Sequence, residues 1–270
     1  MSGSTTIRGL ERGLRVLRAL QTAPSATLHE VHLETGLPKP SLLRVLNTLE
    51  GAGMISRRMG DGRYRLSATA AHRAREPDRY DRVAEAASPV LDRLCQRIAW
   101  PSDLMVPAGD HMEIRETSRT LSPFSLNHDR IGHRINWVLT AVGRAYLAVC
   151  PEAERRSILA LLRETELDEN RLVFEPERLD AILAETRARG YGTRDPTFVG
   201  GFYGRPAYAD GLASIAVPLL GAREVYGCIN ILWVQRAFTI EHMAAQHLPD
   251  LSTAAAEIVG ALDTRLQPSL

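Results

Sequence analysis

The sequence predicts an α+β protein with a winged helix-turn-helix at the front, a linker helix in the middle and an α+β sensor domain behind. Three observations carry this expectation. Two short amphipathic segments, one from Leu28 to Thr35 and one starting at Pro40 or Ser41, meet at a turn that holds Gly36, and two such helices joined by a Gly-containing turn form a DNA-reading unit. A hairpin signal follows directly, with Asp61-Gly62 between alternating residues. Beyond Trp100, runs of strand-like and helix-like residues occur in blocks, the pattern of an α+β domain with an antiparallel sheet.

Charge divides the chain in the same way. Residues 1–75 hold 12 Arg and Lys against 5 Asp and Glu, a balance of +7, and residues 76–270 carry −6, while the whole chain is only +1. A cationic end on an anionic body suits a DNA reader with an attached sensor. The competing reading is a solvated basic face on an ordinary domain, and the helix spacing argues against it.

At 270 residues there is room for about two domains. The 44% hydrophobic and 24% charged residues are ordinary for a globular protein. No apolar run approaches the roughly 18 residues that span a bilayer, and MSGSTTIRGLERG lacks the apolar core of a signal peptide. A cytoplasmic protein without membrane contact is expected. Cys95, Cys150 and Cys228 are odd in number and far apart, which fits a reducing compartment and no disulfide framework. Lys39 is the only lysine.

In chain order, Leu10, Leu14, Leu17 and Leu20 follow helical spacing, and Pro24 limits that helix. Thr27 with Glu30 three residues on reads as a capping box for the second helix, which offers Leu28, Val31 and Leu33 as apolar positions. In the third, Leu42, Val45, Leu46 and Leu49 form the buried stripe, and Gly51 or Gly53 stops it. Lys39, Pro40, Ser41, Leu43, Arg44 and Asn47 are then its exposed early positions, suited to base edges and phosphates. Met54–Arg58 and Arg63–Leu66 form the wing, from which Arg57, Arg58 and Arg63 reach phosphate or the minor groove, and Arg8 joins this set from the first helix. The first domain thus covers 1–75.

Residues 76–98 form a linker helix, or a pair broken near Ser88-Pro89, with Val83, Val90, Leu91, Leu94 and Ile98 on one side. Its AEAAS stretch allows close approach of a partner or packing on its own domain. The second domain, 99–270, begins with a hairpin around Gly109-Asp110 and a strand at RINWV. Helices follow over LTAVGRAYLAVCPEAERRSILALL and RLDAILAETRARGYG. Two strands then cross a Gly-Ala turn in ASIAVPLLGAREVYGCINILWV, and a long helix closes the chain.

The stretches RGLERGLRVLRAL, HEVHLETGLPKPSLLRVLNTLEGAGMI and GDGRYRLS, together with TAVGRAYLA, ARGYG and ASIAVPL, resemble the IclR family of bacterial transcriptional regulators along almost the whole chain. Within that family, RGLERGL, WPSD, RETS with Ser122 and Ser125, TAVGRAYLAVCPE, GCINI and TIE with HLP are most similar to regulators of hydroxyphenylpropionate catabolism. The resemblance implies a GAF-like effector domain, dimers that often pair into tetramers, and control of an aromatic-acid operon. It implies an activator with the acid as inducer and RNA polymerase as a partner; the alternative is a repressor released by a different small organic acid. DPTFVGGFYGRPAYADG departs from the pattern, because it is a longer Gly- and aromatic-rich loop placed to rim a pocket.

An aromatic acid needs an apolar slot and fixed donors for its carboxylate. Thr140, Ala141 and Val142 begin a helix whose free N–H groups suit a carboxylate, and the resemblance places this turn in the effector site. Trp137 is positioned to pack on a ring, although such a Trp is often plain core. Strand alternation puts Cys228, Asn230 and Leu232 on one face, with Ser214 on the neighbouring strand. Arg115, Ser125, Arg130 and Arg134 are further donors. Cys228 otherwise serves as a small buried hydrophobe, and Arg115 and Arg134 otherwise pair with nearby acids.

Enzyme signatures are missing from the sequence. There is no GxSxG elbow, P-loop or GxGxxG after a strand. His29/His32 and His242/His247 lack metalloprotease spacing, and His128 and His133 read as solvated loop residues. No catalytic residue, metal or cofactor is expected. The expected partners are an operator in double-stranded DNA, a small aromatic acid and further copies of the chain as a dimer or tetramer.

Overall fold

The computed structural model describes residues 7–22, 25–58, 61–67, 79–124, 131–206 and 208–265. The chain divides into two compact units, Met1–Pro77 and Asp78–Leu270.

In the first unit, α1 spans Arg8–Thr22, α2 Leu28–Thr35 and α3 Lys39–Gly51. The Thr27 hydroxyl accepts the Glu30 N–H while the Glu30 carboxylate accepts the Thr27 N–H, closing both orphan donors in the expected capping box. Gly36, at φ +63°, ends α2 in the left-handed region that glycine enters without a Cβ penalty. Strands β1 (Ile55–Arg57) and β2 (Tyr64–Leu66) pair antiparallel, and Ala26 adds a bridge to Tyr64. The core joins Val16, Leu20, Val31, Leu37, Leu42, Leu46, Ile55 and Tyr64.

Two apolar stripes shift from expectation. Val16 and Leu20 are buried in α1, whereas Leu10 and Leu14 are 59% and 48% exposed. Spacing identifies apolar positions, but it does not choose which of two overlapping helical lines meets the core. In α2 the buried pair is Val31 and Thr35, and Leu33 points to solvent.

The second unit is a six-stranded antiparallel sheet covered on both faces. Its strands are β3 (Asp103–Ala108), β4 (His111–Thr117), β5 (Arg134–Ile135), β6 (Gly192–Thr193), β7 (Leu212–Leu220) and β8 (Val225–Val234), in the order β5-β4-β3-β8-β7-β6. Alternation sends Leu104, Ile215, Ile229, Ile231 and Trp233 to one face, against α4 (Arg79–Ile98) and the closing helix α8 (Ile240–Arg265). Met105, Met112, Ile114, Ala216 and Cys228 face the other way. They meet α5 (Ala141–Val149), α6 (Glu152–Arg163) and α7 (Pro176–Arg189), with a 3-10 turn at Asp168–Phe174 between α6 and α7.

The expected break at Ser88-Pro89 does not occur, and α4 runs unbroken through Pro89. An interior proline costs about 3 kcal/mol. Burial of Val83, Val90, Leu91 and Leu94, each contributing about 1.5–3 kcal/mol for Val or Leu, outweighs it. The RINWV strand shortens to Arg134–Ile135. Asn136 turns the chain there, because its Oδ1 accepts the N–H groups of Val138 and Leu139 at 2.8 Å each.

Candidate DNA-reading face and buried cavity

In the first unit, burial of Leu42 and Leu46 fixes the rotation of α3. The opposite side then presents Lys39, Pro40, Leu43, Arg44 and Asn47 to solvent, with Ser41 half-buried. Among the described residues, Lys39 and Arg44 have no ion pair. Arg8 is exposed at the start of α1. In the hairpin, Arg58 pairs with Asp61 at 3.3 Å and remains half-exposed. Arg57 donates Nε to Gly62 O at 3.2 Å and lies 5.5 Å from the Tyr64 ring centre.

Arg63 departs from its expected place. It donates to Ser25 Oγ and Ser25 O, both at 3.2 Å, and to Glu30 at 2.8 Å. It ties the wing to the cap of α2 within the unit instead of presenting a free cation.

In the second unit, a cavity of about 50 Å³ lies between the first turn of α5 and the sheet. Thr140, Ala141, Val142, Ser214, Asn230 and Leu232 line it together. Thr140 caps α5: its hydroxyl donates to Asn136 O at 2.6 Å and accepts Gly143 N–H at 3.3 Å. The N–H groups of Ala141 and Val142 have no acceptor among the described residues. Asn230, 2% exposed, accepts Asp103 N–H on Oδ1 at 2.8 Å. That bond orients the amide, and its Nδ2 donors have no partner among the described residues.

Four expected ligand contacts lie elsewhere. Trp137 is fully buried core: its indole N–H donates to Gly109 O at 3.1 Å and its ring meets Tyr146 edge-on. Its backbone instead supports the α5 turn, since a Cβ on Gly143 would come within 2.0 Å of Trp137 O. Cys228 shares the Asn230 face but packs in the core, where burial pushes its thiol pKa up. Arg115 pairs with Asp81 and Glu113; alternation along β4 puts it on the α4 side, opposite Met112 and Ile114. Arg134 is exposed, bonds to Asp110 at 2.5 Å and covers the Tyr203 ring. Ser125 and Arg130 lie outside the described residues.

The cavity also has walls that sequence reasoning missed, Met105, Arg119, Ile135 and Arg194, while Phe198 and Gly201 come from the Gly- and aromatic-rich loop expected at a pocket rim. Arg119 grips the buried Asp103 through Nε at 2.9 Å and a terminal nitrogen at 2.5 Å, while Thr117 donates to the same carboxylate at 2.7 Å. Burial opposes the Arg119 charge, but Asp103 more than compensates and its pKa is raised. Arg194 makes a bidentate pair with Asp210 at 2.8 and 2.9 Å. Neither arginine sits in a periodic segment, so only the tertiary fold brings them here. Behind the α5 turn, the buried Arg144 pairs with Asp195 and donates Nε to Val138 O at 2.7 Å. For Asp195, burial opposes ionisation, but the Thr197 hydroxyl and amide and then Arg144 outweigh it and hold the carboxyl below its ordinary 3.8. Among the described residues, no group of three His, Cys, Asp or Glu is placed to hold a metal ion, and no helix is long and apolar enough to cross a membrane.

A helix-turn-helix with a basic outward face, joined to an α+β unit that holds a small cavity, defines the class: a DNA-binding transcriptional regulator. The chain belongs to the IclR family. Residues 9–58 match the IclR helix-turn-helix domain and residues 79–259 match the bacterial transcriptional regulator IclR C-terminal domain. It is 26% identical over 249 residues to the probable transcriptional regulator SauR of Cupriavidus necator, covering 92% of this chain and 94% of the relative. It is similar to a solved IclR family transcriptional regulator from Brucella abortus, at TM-score 0.52 and 25% identity over 95% of this chain and 93% of that one. The fold also matches an IclR homologue from Microbacterium hydrocarbonoxydans solved with 4-hydroxybenzoate, at TM-score 0.52 and 21% identity over 95% of this chain and 99% of that one.

Proposed function

We propose that this regulator senses a small organic acid in the α5 cavity and thereby tunes the grip of α3 and the wing on an operator. The carrying observation is convergence. The N–H groups of Ala141 and Val142 and the Nδ2 of Asn230, which have no partner among the described residues, line one cavity beside Arg119 and Arg194. Free amides at a helix start favour an anion through hydrogen bonding and the helix dipole. Ser214 and Leu232 complete the expected binding set. Operator contacts are assigned to Lys39, Pro40, Ser41, Leu43, Arg44 and Asn47, with Arg57, Arg58 and Arg8 around them.

The division of labour is three-part, with 1–75 reading DNA, 76–98 linking and 99–270 sensing. The acid is assigned as an aromatic carboxylate such as a hydroxyphenylpropionate, and the protein as an activator of the matching catabolic operon, acting as a dimer or tetramer with RNA polymerase. Support for the aromatic acid and the sign comes from the resemblance of the stretches named above. A repressor released by a different small organic acid is the second reading, and the 50 Å³ of the cavity favours a small acid in it. In either case the acid acts only through different affinities for two arrangements of the protein. Calorimetric titration with phenylpropionates and hydroxybenzoates tests the assignment. Binding that disappears in Asn230→Leu supports it, and unchanged binding in that variant refutes it. Transcription in vitro with and without the acid decides the sign.

A further inference from the structure

We infer that the acid site has two compartments, the cavity for a carboxylate head and an adjoining outer groove for an apolar tail; this rests on the acid-sensing reading above. Arg194, Phe198 and Ser214 line both the cavity and a groove of about 760 Å³. These shared walls make a neck. Arg194 is fixed there by Asp210, by its bond to Leu212 O at 2.9 Å and by the Phe198 ring 5.3 Å away.

Size separates the roles. The cavity of about 50 Å³ is about a third of the roughly 150 Å³ of a cavity known to hold benzene. It accommodates a carboxylate against the Ala141 and Val142 amides and excludes a ring beside it. The groove has ample room, and its walls include Pro196, Val199, Leu212, Val234 and Ile240. Val199 and Val234 are 55% and 40% exposed, apolar surface that a tail would cover. The ligand class is therefore a monocarboxylic acid with an aryl or alkyl tail, seated head first. The Gly- and aromatic-rich loop supplies Phe198, Val199 and Ala209 to the neck and groove, which gives this departure from the family pattern a role in selecting the tail.

The test is titration calorimetry on the full chain with propionate and with 3-phenylpropionate. Burying the phenyl group predicts about 10- to 100-fold tighter binding of 3-phenylpropionate. Ala209 is exposed and lines the groove but not the cavity, so Ala209→Trp occupies part of the tail's groove and should lower that ratio toward one. Val199→Trp, at a second exposed position, should do the same. Equal affinities in the unmodified protein, or a ratio that survives both substitutions, would overturn the two-compartment site while leaving the acid-sensing reading in place. Failure of both acids to bind would overturn the reading itself and this inference with it.

Discussion

Arg44 and Arg63 offer a sharp test of the DNA-reading face, because both were expected on it and the fold treats them oppositely. Arg44 is exposed on α3 and has no ion pair among the described residues, whereas Arg63 is committed to Ser25 and Glu30. Each phosphate contact contributes about 0.9 to the slope of log affinity against log salt. Arg44→Ala should therefore flatten the slope by about 0.9 per bound reading unit, or about 1.8 for two. Between about 50 and 200 mM salt, that difference amounts to about 12-fold in relative affinity loss. Arg63→Ala should leave the slope unchanged and act on stability. The Glu30 partner is exposed and screened, so the loss is small and shows as a modest drop in the melting temperature. The assay is fluorescence anisotropy with a labelled duplex of about three helical turns, repeated across salt. A slope flattened as much by Arg63→Ala as by Arg44→Ala would refute the reasoning, since it would mean that Arg63 abandons its internal partners for phosphate.

Asp195→Asn breaks a buried pair and should cost about 3–5 kcal/mol at neutral pH, read by thermal unfolding. Because the folded carboxyl sits below 3.8, its contribution is complete above that pH and is lost as pH falls through the folded value. The gap between unmodified protein and variant should therefore close in acid, and a gap constant down to the acid transition would contradict the assignment. Gly192→Ala places a Cβ within 2.1 Å of Ala141 O; it should destabilise by about 1–3 kcal/mol and weaken acid binding together, measured by melting and calorimetry on the same sample. Asn230→Ala removes the Nδ2 donors and leaves the buried Asp103 N–H without its acceptor. It should lose about 1–3 kcal/mol of stability besides affinity, and chemical denaturation separates the two effects.

Much of the fold was legible because local and tertiary preferences agree. The Thr27–Glu30 box, the Gly36 cap and the Ala108–His111 and Leu220–Val225 hairpin closures are short-range features with defined chemistry. Strand alternation placed Asn230 and Leu232 on one face of β8 for the same reason. Competition between local and distant forces was not legible. Pro89 argues locally for a break, and packing of α4 on α8 overrides it. Trp137 has the right residue type for a ligand platform, but the Asn136 turn sends it into the core. Arg119 and Arg194 lie in irregular segments, and their partners Asp103 and Asp210 are 16 residues away in sequence, beyond what any periodicity reports.

The two outermost strands of the large sheet, β5 and β6, are each two residues long. A rim that short offers an incoming strand almost no ladder of free amides and carbonyls to extend, which is how natural sheets blunt edge-to-edge aggregation. Any contact between copies of this chain would therefore run through side-chain surfaces on helices and loops rather than through a shared sheet.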